Sequence, residues 1–171
     1  MAIFWRFAGA YGNACLGTDI ANPFYADLAS LLRVRRDIMP VMRREALPAL
    51  GGKFHLISAI WISFNTWFTT NPDGTSTRHH WSVEDWAFLF NDLLQNHLIY
   101  PGRIYFVLNQ NYYADGSIGF DQELYDWFEG IGAQTDRAYG IVDLQLDHLR
   151  VLPPPKPRPP GATIQPESVP P

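Results

Sequence analysis

The 171-residue sequence is bounded first by what it has little of. Cysteine occurs once, at Cys15, so no intrachain disulfide framework can form and packing must hold the fold. Charged residues make up 18% of the chain, against about a quarter in an ordinary soluble domain. Lys and Arg number 13 against 17 Asp and Glu, a net charge of −4, which speaks against nucleic-acid binding through a broad basic face. The longest apolar run, residues 53–70, is broken by Lys53, His55 and Asn65. It falls short of the roughly 20 clean residues a membrane span needs, so none is expected. The leading MAIFWRFAGAYGNACLG has one Arg and no signal-peptide core, and Tyr11 and Gly12 stand where a lipoprotein site wants an aliphatic residue. Cytoplasmic synthesis without secretion or lipidation is expected.

Chemical motifs are scarce as well. Gly-x-Ser-x-Gly, glycine-rich phosphate loops, Cys-x-x-Cys and the Asp-x-Asp-x-Asp-Gly calcium spacing are all missing. No catalytic, metal or cofactor-binding residue is assigned on this basis, and an enzyme is the less favoured reading.

Aromatic residues, by contrast, reach 15%, with 6 Trp, 8 Tyr and 11 Phe. Such a surplus either fills a core or lies on a contact surface. Charge is also unevenly spread. Residues 33–53 carry six basic side chains against two acidic, a net +4, and residues 82–149 carry eleven acidic against two basic, a net −9. A basic and an acidic patch on one subunit suit head-to-tail association into rings. The plainer reading is two solvated faces.

Residues 53–70, KFHLISAIWISFNTWFTT, organise the chain. At period 2, Phe54, Leu56, Ile60, Ile62, Phe64 and Phe68 share one face and Ile57, Ala59, Trp61 and Trp67 the other. Apolar faces on both sides predict a central strand, or two shorter strands broken near Ser63. Asn71-Pro72-Asp73-Gly74 predicts a hairpin returning over residues 75–81. Helices are predicted from Asn22-Pro23, over residues 41–46, from a Ser82 N-cap with Asp85 three residues on, and over 120–128. Tyr100-Pro101-Gly102 should stop the third of these. Further strands are expected at 103–113 and at 139–152, where Val142, Leu144 and Leu146 alternate with Asp143, Gln145 and Asp147 as in an outer strand.

The expected architecture is α+β (or α/β): a single sheet of about four strands covered by amphipathic helices, with extended N- and C-terminal arms. The expected organisation is an arm and loop at 1–22, one domain at 23–152 and a proline-rich tail at 153–171. The tail should be polyproline-like or disordered and join neither sheet nor helix.

Candidate sites are weighed against plainer roles. Arg33, Arg36, Arg43 and Arg44 could grip phosphate or an acidic partner, or could be the wet side of their helices. Trp61 and Trp67 could wait for a neighbouring subunit, because the predicted helices offer too little apolar area for both faces of the strand. His79 and His80 with Asp143 and Asp147 could form a small hydrolase or nuclease site. Adjacent histidines on an extended chain point apart, however, and a polar turn explains them as well. Trp61, Trp67, Trp81 and Trp86 could line a glycan or peptide groove.

The reading preferred from the sequence is a non-enzymatic structural subunit of a larger assembly. A viral or phage particle component, for example a ring-forming neck or tail subunit, would suit it. Its partners would be protein subunits, itself among them. The hydrolase and the aromatic-lined binding module are the alternatives.

Overall fold

Turn and cap chemistry place most elements where the sequence puts them. The computed structural model describes residues 9–19, 23–33, 35–62, 64–112, 118–155 and 167–169. It shows mixed α and β structure with sheets of two to four strands and, among the described residues, three α-helices. The chain divides into two compact units, Met1–Val41 and Met42–Pro171. In the first, β1 (Gly17–Asp19) pairs in parallel with β2 (Arg36–Ile38), and α1 (Pro23–Leu31) connects them in sequence, starting on the expected proline.

The second unit is built on a four-stranded sheet in the order β3 (Phe54–Ile62), β6 (Leu98–Leu108), β10 (Ile141–Leu146), β9 (Gln134–Asp136). β3 runs parallel to β6 and the other pairs are antiparallel. A parallel pair needs a long crossover. Here it contains a hairpin, β4 (Thr66–Thr70) and β5 (Ser76–His80), followed by helix α2 (Val83–Asp92) and a π-helical turn, Leu93–His97. Two-residue strands β7 (Asn111–Tyr112) and β8 (Ile118–Gly119) lead to α3 (Gln122–Gly130), capped by the Asp121 carboxylate, which accepts the Leu124 N–H.

Period-2 alternation sets the inner face: Ile104, Phe106 and Leu108 on β6 and Val142, Leu144 and Leu146 on β10 are all buried, with Ile104 opposite Leu144 and Phe106 opposite Val142. Much of the aromatic content packs beside them. The Phe90 ring lies 5.3 Å from Phe106 and 5.1 Å from Phe128, and Trp86 lies 6.1 Å from Phe128 and 5.5 Å from Trp81. The angled, edge-on geometry of these pairs is the one that ring quadrupoles favour.

The 53–70 run is two strands, the second of the two readings expected, and they belong to different sheets rather than to a single one. The chain turns at Phe64–Asn65, where buried Asn65 accepts the Trp81 N–H at 2.9 Å and Asn109 fastens the Ile62 carbonyl at 2.7 Å. Other expectations are corrected. Among the described residues β3 is an edge strand, not a central one. Apolar residues on two faces report cover above and below, not neighbours at the sides, and Leu56 stays 45% exposed. Tyr100-Pro101-Gly102 does not stop the helix: α2 is finished at Asp92, and Pro101 lies inside β6. Residues 41–46 hold a turn rather than a helix, with Arg44 at a left-handed φ of 54°. The tail contributes a strand, β11 (Glu167–Val169), antiparallel to β5. That triplet has no proline, so each of its N–H groups can donate to a ladder. The outer position expected of β10 goes instead to β9, a strand too short to show alternation.

Candidate functional site

The site is organised by two acids on α2. Asp85 and Asp92 are seven residues apart, about two helical turns, and so share a face. Both are buried and both hold the segment that precedes β3. The Asp92 carboxylate accepts the Leu47 N–H at 2.9 Å and the Asn96 amide at 2.8 Å, and it lies 3.5 Å from Nε2 of buried His97. Asp85 sits at the third helical position, where a carboxylate meets the helix dipole favourably. It accepts the Ser82 N–H at 3.0 Å, the half of a capping box in which the acid reaches back.

Two arginines complete the Asp85 shell. Arg43 Nε donates to one carboxylate oxygen at 2.8 Å and Arg44 Nε to the other at 2.5 Å. Burial alone would raise the Asp85 carboxyl. The Arg43 hydrogen bond, the Ser82 N–H and the Arg44 hydrogen bond outweigh it and hold the group below the usual carboxylate range. The two arginine side chains are half exposed, Arg43 at 44% and Arg44 at 53%. Arg43 also lies 4.5 Å over the Trp67 ring, and Trp67 stacks on His79 with centroids 5.1 Å apart. His79 in turn meets the Thr69 hydroxyl at 2.9 Å. This stack follows from hairpin register: Trp67 is opposite His79 and Thr69 opposite Thr77, so all four residues share one face.

The predicted site residues are thus distributed unevenly. Arg43, Arg44 and Trp67 come together. Arg33 lies in the turn after α1 at φ 51°, Arg36 opens β2, and Trp61 is described only by its backbone on β3. His79 and His80 are on β5, with His79 engaged by Trp67 and Thr69. Asp143 is on β10, where both its oxygens take the Arg103 guanidinium, at 2.7 and 2.6 Å. Asp147 is exposed just beyond that strand. Among the described residues no group of three or more His, Cys, Asp or Glu side chains could hold a metal ion. Trp81 and Trp86 are buried in the ring cluster, which removes them from any surface groove. What sequence reasoning missed is Asp85 as the shared anchor. The sequence carries no separate signal for it, because the capping box with Ser82 already accounts for an acid at this position.

No helix among the described residues is long and apolar enough to cross a membrane. Comparison with known proteins adds no identity: no family model matches the chain, and no curated protein or solved structure matches it.

Proposed function

We propose that this chain is a non-enzymatic structural subunit of a larger protein assembly. One observation carries the reading. β3 is a nine-residue strand, FHLISAIWI, with neither Lys, Glu, Asp, Arg nor Pro along it, and among the described residues it stands at an edge of its sheet. Natural sheets blunt such edges with charge, proline or bulges, because an unguarded edge is a template for another chain; the register of β3 against β6 shifts near each end, at Phe54/Leu56 and Ile60/Ile62, but no charge or proline guards the strand. An edge left apolar over this length fits a subunit whose neighbours complete it. Leu56 on β3 and Phe68 on β4 add exposed apolar area. Amphipathic cover of the sheet by α2 and α3, and an N-terminal arm that reaches neighbours, belong to the same proposal.

A viral or phage particle component, such as a ring-forming neck or tail subunit, is the assembly we favour as a class, and a basic and an acidic region on one chain suit a closed ring of any kind. Sedimentation velocity and light scattering on the full chain test the proposal, alone and with its native neighbours. Association that rises with concentration is expected. A strict monomer at high concentration that captures no partner overturns it.

A further inference from the structure

Among the described residues the four-stranded sheet has two edges, and they are built differently. β9 is three residues, Gln134-Thr135-Asp136; shortness and an acid are both devices that keep a natural edge from pairing. β3 is nine residues long and carries no Lys, Arg, Asp, Glu or Pro. Its register against β6 shifts near each end, but from Leu56 to Ile60 it runs unbroken. Ser58 is the middle residue both of that regular stretch and of the whole strand. No residue from Phe54 to Ile60 is fully buried, and Leu56 is 45% exposed, so this apolar strand is incompletely covered by its own chain.

The charges nearest to β3 in sequence and register are engaged within the chain. Lys53, one residue before the strand, donates to the Gln95 carbonyl at 2.7 Å. Arg103, opposite Leu56 on β6, is held by both oxygens of Asp143. His55 is the one titratable side chain on the strand itself. A strand of this length and apolarity is matched by no other described edge: β9 is short and acidic, and β4 has five residues, three of them Thr. What matches it is another copy of β3.

We infer that β3 pairs antiparallel with β3 of a second copy of this chain across a two-fold axis at Ser58, joining two four-stranded sheets into one of eight strands. The inference rests on the assembly reading above and names the neighbour that completes this edge. In this register all nine residues pair: Phe54 lies opposite Ile62, His55 opposite Trp61, Leu56 opposite Ile60 and Ile57 opposite Ala59, with Ser58 opposite its own copy. Aromatic and β-branched positions are thus set against each other, which stabilises a ladder, and no two like charges meet. The two His55 positions stand six residues out of register with each other, about 20 Å apart, so charging them opposes nothing. A two-fold contact is satisfied by two copies, and the dimer is then the repeating unit of the larger assembly.

The test is disulfide trapping in the full chain, beside sedimentation velocity of wild type. Cys15→Ser is the background, since Cys15 is the only native thiol. Adding Ser58→Cys places two thiols directly opposite, with Cα atoms about 4.5–5.5 Å apart and within disulfide reach. Adding His55→Cys instead leaves them about 20 Å apart and beyond it. Wild type should sediment as a dimer or a larger species. On mild oxidation the Ser58→Cys protein should run as a covalent dimer on a non-reducing gel, and the His55→Cys protein as a monomer. Leu56→Lys added to Ser58→Cys sets a charge opposite Ile60 of the neighbour and should abolish trapping. If that variant fails to fold, the contrast between positions 58 and 55 decides alone. Equal trapping at both positions, or a wild type that associates with no trapping at position 58, overturns the pairing and leaves the assembly reading standing. A wild type that is monomeric at every concentration also overturns the pairing, and if it captures no native neighbour the assembly reading falls with it.

Discussion

The two sheets of the second unit are made from neighbouring stretches of sequence, yet they are held in different ways. In the four-stranded sheet, β6 and β10 turn one face into a cluster of rings and aliphatic side chains that water does not reach. In the β11-β5-β4 sheet, no residue of β4 or β5 is fully buried, and the contacts are layered polar and aromatic ones: Arg43 over Trp67, Trp67 on His79, and Arg78 at 5.4 Å from Phe68. Area removed from water therefore stabilises the first, while register and a few directed contacts define the second.

The largest test of that contrast compares ring truncations. Trp86→Ala removes a side chain that touches Phe64, Trp81, Phe90, Phe106 and Phe128, and should cost about 3–5 kcal/mol in urea unfolding. Phe68→Ala removes a ring of similar chemistry that is already 55% exposed, and should cost under about 1 kcal/mol. Equal losses would mean that the hairpin has a core of its own.

This contrast also explains how much was legible in advance. The hairpin turn, the Ser82 start of α2 and the alternation of β10 are local signals, each set by residues within a few positions of one another, and each is found where it was expected. The rank of β3 in its sheet is not local. It depends on which strand β6 pairs with on its far side, and β10 lies some forty residues away from β6. The Asp85 shell was unreadable for the same reason: Arg43 and Arg44 are 42 and 41 positions from it. Charge counting placed both arginines in a basic stretch but could not show that a buried carboxylate ties them down.

The next test divides that shell by which side of it is buried. Asp85 is inaccessible and the arginines are half exposed, so the two deletions differ. Arg43→Ala/Arg44→Ala leaves a buried carboxylate with only the Ser82 N–H, and should cost about 3 kcal/mol or slightly more. Asp85→Asn lets both guanidinium groups return to water, and should cost about 1–2 kcal/mol for the lost cap and charged hydrogen bonds. Acid gives an independent check on the same shell. The folded Asp85 value is depressed, so its contribution is fully present above the unfolded value, about 3.9. It is lost as pH falls through the folded value. Urea midpoints measured from pH 6 down to pH 2 should fall less steeply in Asp85→Asn than in wild type. Parallel curves would show that the arginines do not stabilise the charged form.

The last comparison comes from backbone, and it sets the same two regions against each other through a pair of glycines. Gly140 precedes β10 at φ 71°, and Gly74 closes the β4–β5 turn at φ 83°. Both are left-handed conformations in which a side chain is strained, at about 1–2 kcal/mol each. Their surroundings differ. A Cβ at Gly140 would stand 2.5 Å from the Leu108 carbonyl oxygen and 2.8 Å from the Phe120 ring, whereas one at Gly74 would meet nothing within 4 Å. The Leu108 carbonyl cannot swing away cheaply, because its own residue's N–H donates to Gly140 at 2.9 Å and fixes the two backbones together. Gly74→Ala should therefore show the conformational term alone, about 1 kcal/mol. Gly140→Ala should show that term plus a backbone clash, about 1–3 kcal/mol more. Asn or Asp, which tolerate left-handed backbone better, should recover part of the loss at position 74 and almost none at position 140. If Asn rescues both positions equally, the close approach at Gly140 is not what limits it, and the two regions are equally tolerant at their turns.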